Sequence, residues 1–99
     1  KDYVINMVEL MYKSHKLAQV YICHSELFEI YGDYVEYPIM SKYEEFFEAL
    51  ICEDDFDNSQ FDDELLNAEN WFLCDDGKMI GIECPALYKE DHSIYIRFR

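Results

Sequence analysis

Residues 3–31 read YVINMVELMYKSHKLAQVYICHSELFEIY, an unbroken stretch without glycine or proline that opens a 99-residue chain. Its apolar residues Tyr3, Met7, Leu10, Leu17, Val20, Tyr21, Leu27, Phe28 and Tyr31 follow steps of three and four, which predicts helix. Gly32 then stands where a helix C-terminus favours glycine. Two other readings remain open. The polar patch Lys13-Ser14-His15-Lys16 allows two helices, the second capped by Ser14, and the β-compatible run Leu17–Cys23 allows a strand. The spacing favours helix.

Working outward, residues 32–40 (GDYVEYPIM) read as a connection, with Pro38 keeping a regular helix from running through it. Ser41 caps a central helix with Glu44 at the capping-box position. On that helix Tyr43, Phe46, Phe47, Leu50 and Ile51 form an inward stripe, while Glu44, Glu45 and Glu48 point to solvent. An acidic loop, Glu53–Gln60, leads to a short helix over Phe61–Asn70, whose Asp62, Asp63 and Glu64 suit the positive end of its dipole.

The last third changes period. Trp71–Cys74 and Met79–Ile82 flank Asp75-Asp76-Gly77-Lys78, a hairpin signal with Asp76-Gly77 as the two-residue turn and Cys74 opposite Met79. Pro85 ends the second strand. Ser93–Arg99 alternates, with Ile94, Ile96 and Phe98 on one side. The expectation is a single α+β domain over residues 1–99, with N-terminal and central helices packed on a C-terminal three-stranded antiparallel sheet.

The formal net charge is −14, and it is concentrated. Residues 1–31 and 71–99 each carry a net −1, whereas residues 32–70 hold Lys42 against 13 carboxylates. A charge that served solubility alone would spread over the whole surface. Concentrating it raises self-repulsion, which a basic partner relieves. The same field disfavours direct binding to nucleic acid or to anionic membranes. Aromatic residues make up 17% of the chain, far from the composition of a disordered acidic tail.

The four cysteines, Cys23, Cys52, Cys74 and Cys84, sit in apolar stretches and form no CxxC pair, so they read as free, buried thiols in a reduced, cytoplasmic protein. The histidines His15, His24 and His92 complete no zinc pattern, and no cofactor or metal is expected. No phosphate loop, GxSxG elbow or HExxH motif is present, and no pair of carboxylates is marked out for acid–base work, so the reading is non-enzymatic. Residues 53–64 place carboxylates at positions 1, 3, 5 and 12 of a calcium loop. The glutamate at position 1 and Asn58 at position 6 make that match degenerate.

Phosphate mimicry uses more of the sequence. Duplex DNA carries a charge roughly every 3.4 Å along each strand. Carboxylates held on a folded frame can imitate that row, and aromatics among them can stack on arginine. The expected partner-binding residues are Asp33, Tyr34, Glu36, Tyr37, Glu44, Glu45, Glu48, Glu53, Asp54, Asp55, Phe56, Asp57, Asp62, Asp63 and Glu64. In size and in its segments YGDYVEY, YEEFFE and EDDFDNSQFDDE, the chain resembles small acidic phage DNA-mimic inhibitors of the anti-CRISPR and anti-restriction class. That resemblance implies a protein of the host bacterial cytoplasm that occupies the nucleic-acid groove of a CRISPR effector or similar nuclease. An immunity protein that neutralises a basic nuclease toxin would present the same kind of surface.

Overall fold

The computed structural model describes residues 7–51 and 63–99. The helices expected over the opening stretch are not there. Its described part forms three strands, β1 (Met7–Tyr12), β2 (His15–Ser25) and β3 (Glu29–Glu36). After a 3-10 turn over Pro38–Tyr43 come α1 (Glu44–Ile51), α2 (Asp63–Leu66) and a second 3-10 turn at Ala68–Asn70. Four strands complete the chain: β4 (Trp71–Asp75), β5 (Lys78–Gly81), β6 (Ala86–Tyr88) and β7 (Ser93–Arg97). All seven belong to one antiparallel sheet in the order β5-β4-β1-β2-β3-β7-β6. The expected three-stranded sheet under a helical layer is therefore replaced by a seven-stranded sheet carrying a short helix.

Two bulges explain the misleading spacing. In the β1–β2 pairing Leu10 faces Ala18 but Met11 faces Lys16, so Leu17 is an extra residue on β2. In the β2–β3 pairing Ile22 faces Gly32 and His24 faces Tyr31, leaving Cys23 as the extra residue. An extra residue turns the two-residue step of a strand into a three-residue step, which looks like one face of a helix. Leu17, Ala18 and Val20 are all buried on this account. Lys13, at φ 54°, opens the two-residue turn that joins Tyr12 to His15. Ser14 caps no helix. Gly32 ends none either; it lies in a strand flanked by β2 and β7, where its backbone approaches the Tyr21 carbonyl too closely for a side chain.

The C-terminal hairpin matches the sequence reading. Asp76 and Gly77 both have positive φ, Asp75 faces Lys78 and Cys74 faces Met79. Ile94 and Ile96 are buried on alternate positions of β7. Ser41 does not cap the central helix; its hydroxyl donates to the Pro38 carbonyl inside the 3-10 turn. The segment read as one helix over Phe61–Asn70 is described as α2 and a 3-10 turn.

The sheet curls until its two ends meet. Just after β5, Ile82 bridges to Phe98, the Glu83 amide donates to the Arg97 carbonyl at 2.9 Å, and the Ile82 amide donates to the Trp71 carbonyl at 3.1 Å. Residues 78–88 thus act as one bent ribbon, paired with β4 at its start and with β7 at its end. Arg99 braces this corner, donating to the carbonyls of Ile82 (3.0 Å) and Trp71 (3.2 Å) and lying over the Phe72 ring. Inward residues of all seven strands pack together with Met40, Phe46 and Phe47.

Gly32 makes a direct test of this packing. A Cβ there would lie 2.3 Å from the Tyr21 carbonyl oxygen, and backbone held in a central strand cannot swing aside. Gly32→Ala is expected to destabilise the protein by about 1–3 kcal/mol, the usual range for forced overpacking. The shift in denaturant midpoint measures it, and an unchanged midpoint would contradict the close approach of β2 and β3.

Candidate functional site

The acidic residues expected to form one surface separate into distinct places. Strand alternation sends Asp33 to the outer face of the sheet, opposite Tyr21 and Ser93, where the Cys23 thiol lies 3.6 Å from its carboxylate. Tyr37 is half-buried and donates to the Glu9 carboxylate at 2.8 Å, beside the Lys16–Glu9 ion pair. Asp63 and Glu64 lie on α2, with Glu64 ion-paired to Lys13. Glu45 is exposed on α1. Glu53, Asp54, Asp55, Phe56, Asp57 and Asp62, with most of the calcium-loop positions, lie outside the described residues.

What the fold does bring together is a groove between α1, the end of β3 and the β6–β7 turn. One depression is lined by Tyr34, Glu36, Met40, Glu44, Phe47, Glu48, Ile51, Leu87 and Lys89. An adjoining one shares Glu48, Ile51 and Lys89 and adds Tyr88, Glu90 and Asp91. Alternation explains the β3 wall: Tyr34 and Glu36 are two apart and point to the side opposite Asp33. Helical spacing explains the other wall, because Glu44 and Glu48 are one turn apart on α1 while Phe47 and Phe46 turn into the core. The third wall is set by a long-range hydrogen bond. The Tyr34 amide donates to the His92 carbonyl at 2.9 Å, which holds the Lys89–His92 turn beside β3.

The groove has an apolar floor and acidic walls. Five carboxylates (Glu36, Glu44, Glu48, Glu90 and Asp91) surround one lysine, Lys89, whose ammonium lies 3.4 Å from Glu44. Both partners of that pair are well exposed, so it is a weak contact that exchanges readily with solvent. Tyr34 forms part of the core, at 3% exposure, and its edge reaches the groove. Burial, followed by the nearby charges of Glu36, Glu44 and Asp91, holds its phenol above the ordinary tyrosine range. It stays protonated at neutral pH.

Sequence reasoning found Tyr34, Glu36, Glu44 and Glu48 but missed Tyr88, Lys89, Glu90 and Asp91. The C-terminal third carries a net charge of only −1, and no local pattern announces that its turn meets β3. The described cysteines are free thiols but less buried than expected: Cys23 is exposed, and Cys74 and Cys84 are half-buried, while Cys52 lies outside the described residues. Among the described residues no cluster of His, Cys, Asp or Glu has the arrangement of a metal site. Nor is any helix among them long and apolar enough to cross a membrane. No family model, curated protein or solved structure matches the chain.

Burial pushes the Cys84 thiol up to about 11 from an ordinary 9.0. Because the folded state holds the proton more tightly, this contribution to stability is intact below pH 9 and is lost as pH rises toward 11. Two outcomes are expected. Iodoacetamide at pH 8 modifies Cys23 before Cys84, read by peptide mass spectrometry. The thermal midpoint falls between pH 9 and 11, and falls less steeply in Cys84→Ala. Equal labelling of both thiols would contradict the assignment.

Proposed function

We propose that this protein is a non-enzymatic inhibitor that covers the nucleic-acid-binding surface of a basic protein, a CRISPR effector or a comparable host-defence nuclease, in the bacterial cytoplasm. The observation that carries the reading is the groove, in which carboxylates from α1, β3 and the β6–β7 turn rise around an apolar, aromatic floor. Rows of carboxylate can replace a phosphate backbone, and the floor can receive the apolar part of a basic side chain. The sequence-wide charge of −14 supports this by steering a cationic partner toward the protein. The reading assigns the protein no cofactor, no catalytic step and no direct contact with nucleic acid or membrane.

The carboxylates of residues 53–62 belong to the same reading through the sequence, since they follow α1 directly. The curled sheet serves as a rigid frame, because charges that mimic phosphate must be held in place to be read as one.

Cleavage assays on bacterial DNA-binding nucleases, including CRISPR effectors, test the proposal. The protein is expected to inhibit a susceptible enzyme competitively with duplex DNA. Association should slow steeply between 50 and 300 mM salt, roughly tenfold or more. Glu44→Gln combined with Glu48→Gln should weaken inhibition at least fivefold with the thermal midpoint retained. Inhibition that neither excess DNA nor salt relieves would rule out phosphate mimicry. Specific protection against a secreted nuclease domain alone would identify an immunity protein instead.

A further inference from the structure

The groove is lined by a buried tyrosine whose hydroxyl has no partner within the described fold. Tyr34 is 97% buried, yet its hydroxyl makes no hydrogen bond to any described residue. It is also not sealed away, since no buried polar side-chain atom among the described residues lacks a partner. Its hydroxyl must therefore meet solvent, and the groove it lines gives that access. Burial at this level without an internal partner is unusual for a phenol. Three less buried tyrosines do have internal partners: Tyr37 donates to Glu9 at 2.8 Å, Tyr95 to Glu29 at 2.6 Å and Tyr21 to Gln19 at 2.9 Å.

The depression that Tyr34 lines has the chemistry of a cation site. Glu36, Glu44 and Glu48 line the same depression, and Phe47, Met40 and Leu87 supply apolar surface beneath them. Lys89 already reaches Glu44 from the turn, the interaction a basic visitor would make. We propose that this groove takes one arginine side chain of the protein partner, its guanidinium held by Glu36, Glu44 and Glu48 and donating to the Tyr34 hydroxyl oxygen, with Lys89 as a built-in competitor. The inference rests on reading the acidic surface as a binding surface for a basic protein.

Guanidinium fits better than ammonium for three reasons. It offers five donors in a planar fork, enough for several carboxylates and a phenol oxygen together. It is more weakly hydrated, so leaving water for a half-apolar groove opposes binding less. Its flat face can also lie on an aromatic ring such as Phe47. Lys89 competes with one point charge on a flexible stem and is displaced when the better-matched group arrives.

The test uses the whole protein and two fluorescein-labelled pentapeptides, Gly-Arg-Gly-Arg-Gly and Gly-Lys-Gly-Lys-Gly, with anisotropy read at low salt. Tyr34→Phe keeps the ring and removes the hydroxyl, and should weaken the arginine peptide threefold to tenfold. Glu44→Gln should weaken it more than Asp33→Asn, which removes the same charge from the opposite face of the sheet. Lys89→Ala should tighten binding at least threefold more than Lys78→Ala, the same charge change made at the distant hairpin turn. Circular dichroism melts confirm that each variant folds.

Equal effects of Glu44→Gln and Asp33→Asn, no effect of Tyr34→Phe, or equal effects of the two lysine variants would overturn the groove assignment, while salt-sensitive binding would leave the acidic-surface reading standing. Equal affinity for the lysine peptide would overturn the choice of arginine. Absence of salt-sensitive binding to both peptides would overturn both the groove and the wider reading.

Discussion

Trp71 is the residue on which the rest of the structure depends. Its side chain is fully buried, and its indole N–H donates to the Leu65 carbonyl at 2.8 Å, tying α2 to the sheet. Its carbonyl accepts from the Ile82 amide and from Arg99, which joins the two ends of the sheet. Its ring meets Tyr12 of β1 at 4.9 Å, Phe47 of α1 at 5.6 Å and, nearly parallel, Phe46 at 6.1 Å. One residue thus couples both helices, an early strand and the closing corner. Removing a buried tryptophan ring of this kind costs about 3–5 kcal/mol in general, a large share of a small domain's stability.

That coupling positions the candidate site. Phe46 and Phe47 anchor α1 through the Trp71 cluster, and the same anchorage turns Glu44 and Glu48 toward β3 and the β6–β7 turn. The opposite wall is fixed by pairing of β3 with β7 and by the Tyr34–His92 hydrogen bond. Like charges brought this close repel one another, and the frame has to hold them against that repulsion. A cationic partner relieves the repulsion, so the rigidity of the sheet and the proposed affinity have a common physical origin.

Legibility in the sequence followed the reach of the interactions. The 71–82 hairpin could be read because an Asp-Gly turn and its flanking residues specify pairing locally, as the Cys74–Met79 register shows. The α1 stripe could be read because Phe46 and Phe47 stand out against glutamates at helical spacing. The opening stretch could not, because the extra residues Leu17 and Cys23 disguise strand alternation as helical steps. Half of the groove was visible for the same reason: Glu36, Glu44 and Glu48 belong to the acidic segment. Lys89, Glu90 and Asp91 join them through a β3–β7 pairing some sixty residues apart in the chain, which no local pattern encodes.

The central claim is that the fold gathers part of a diffuse negative charge into one groove that receives a basic partner. Residue-resolved NMR during titration with the arginine pentapeptide tests it most directly. The account predicts that the largest shifts fall on Tyr34, Glu36, Glu44, Glu48 and Lys89, with the outer face around Asp33 and Tyr31 little changed. Small shifts scattered evenly over exposed carboxylates on both faces of the sheet would contradict it.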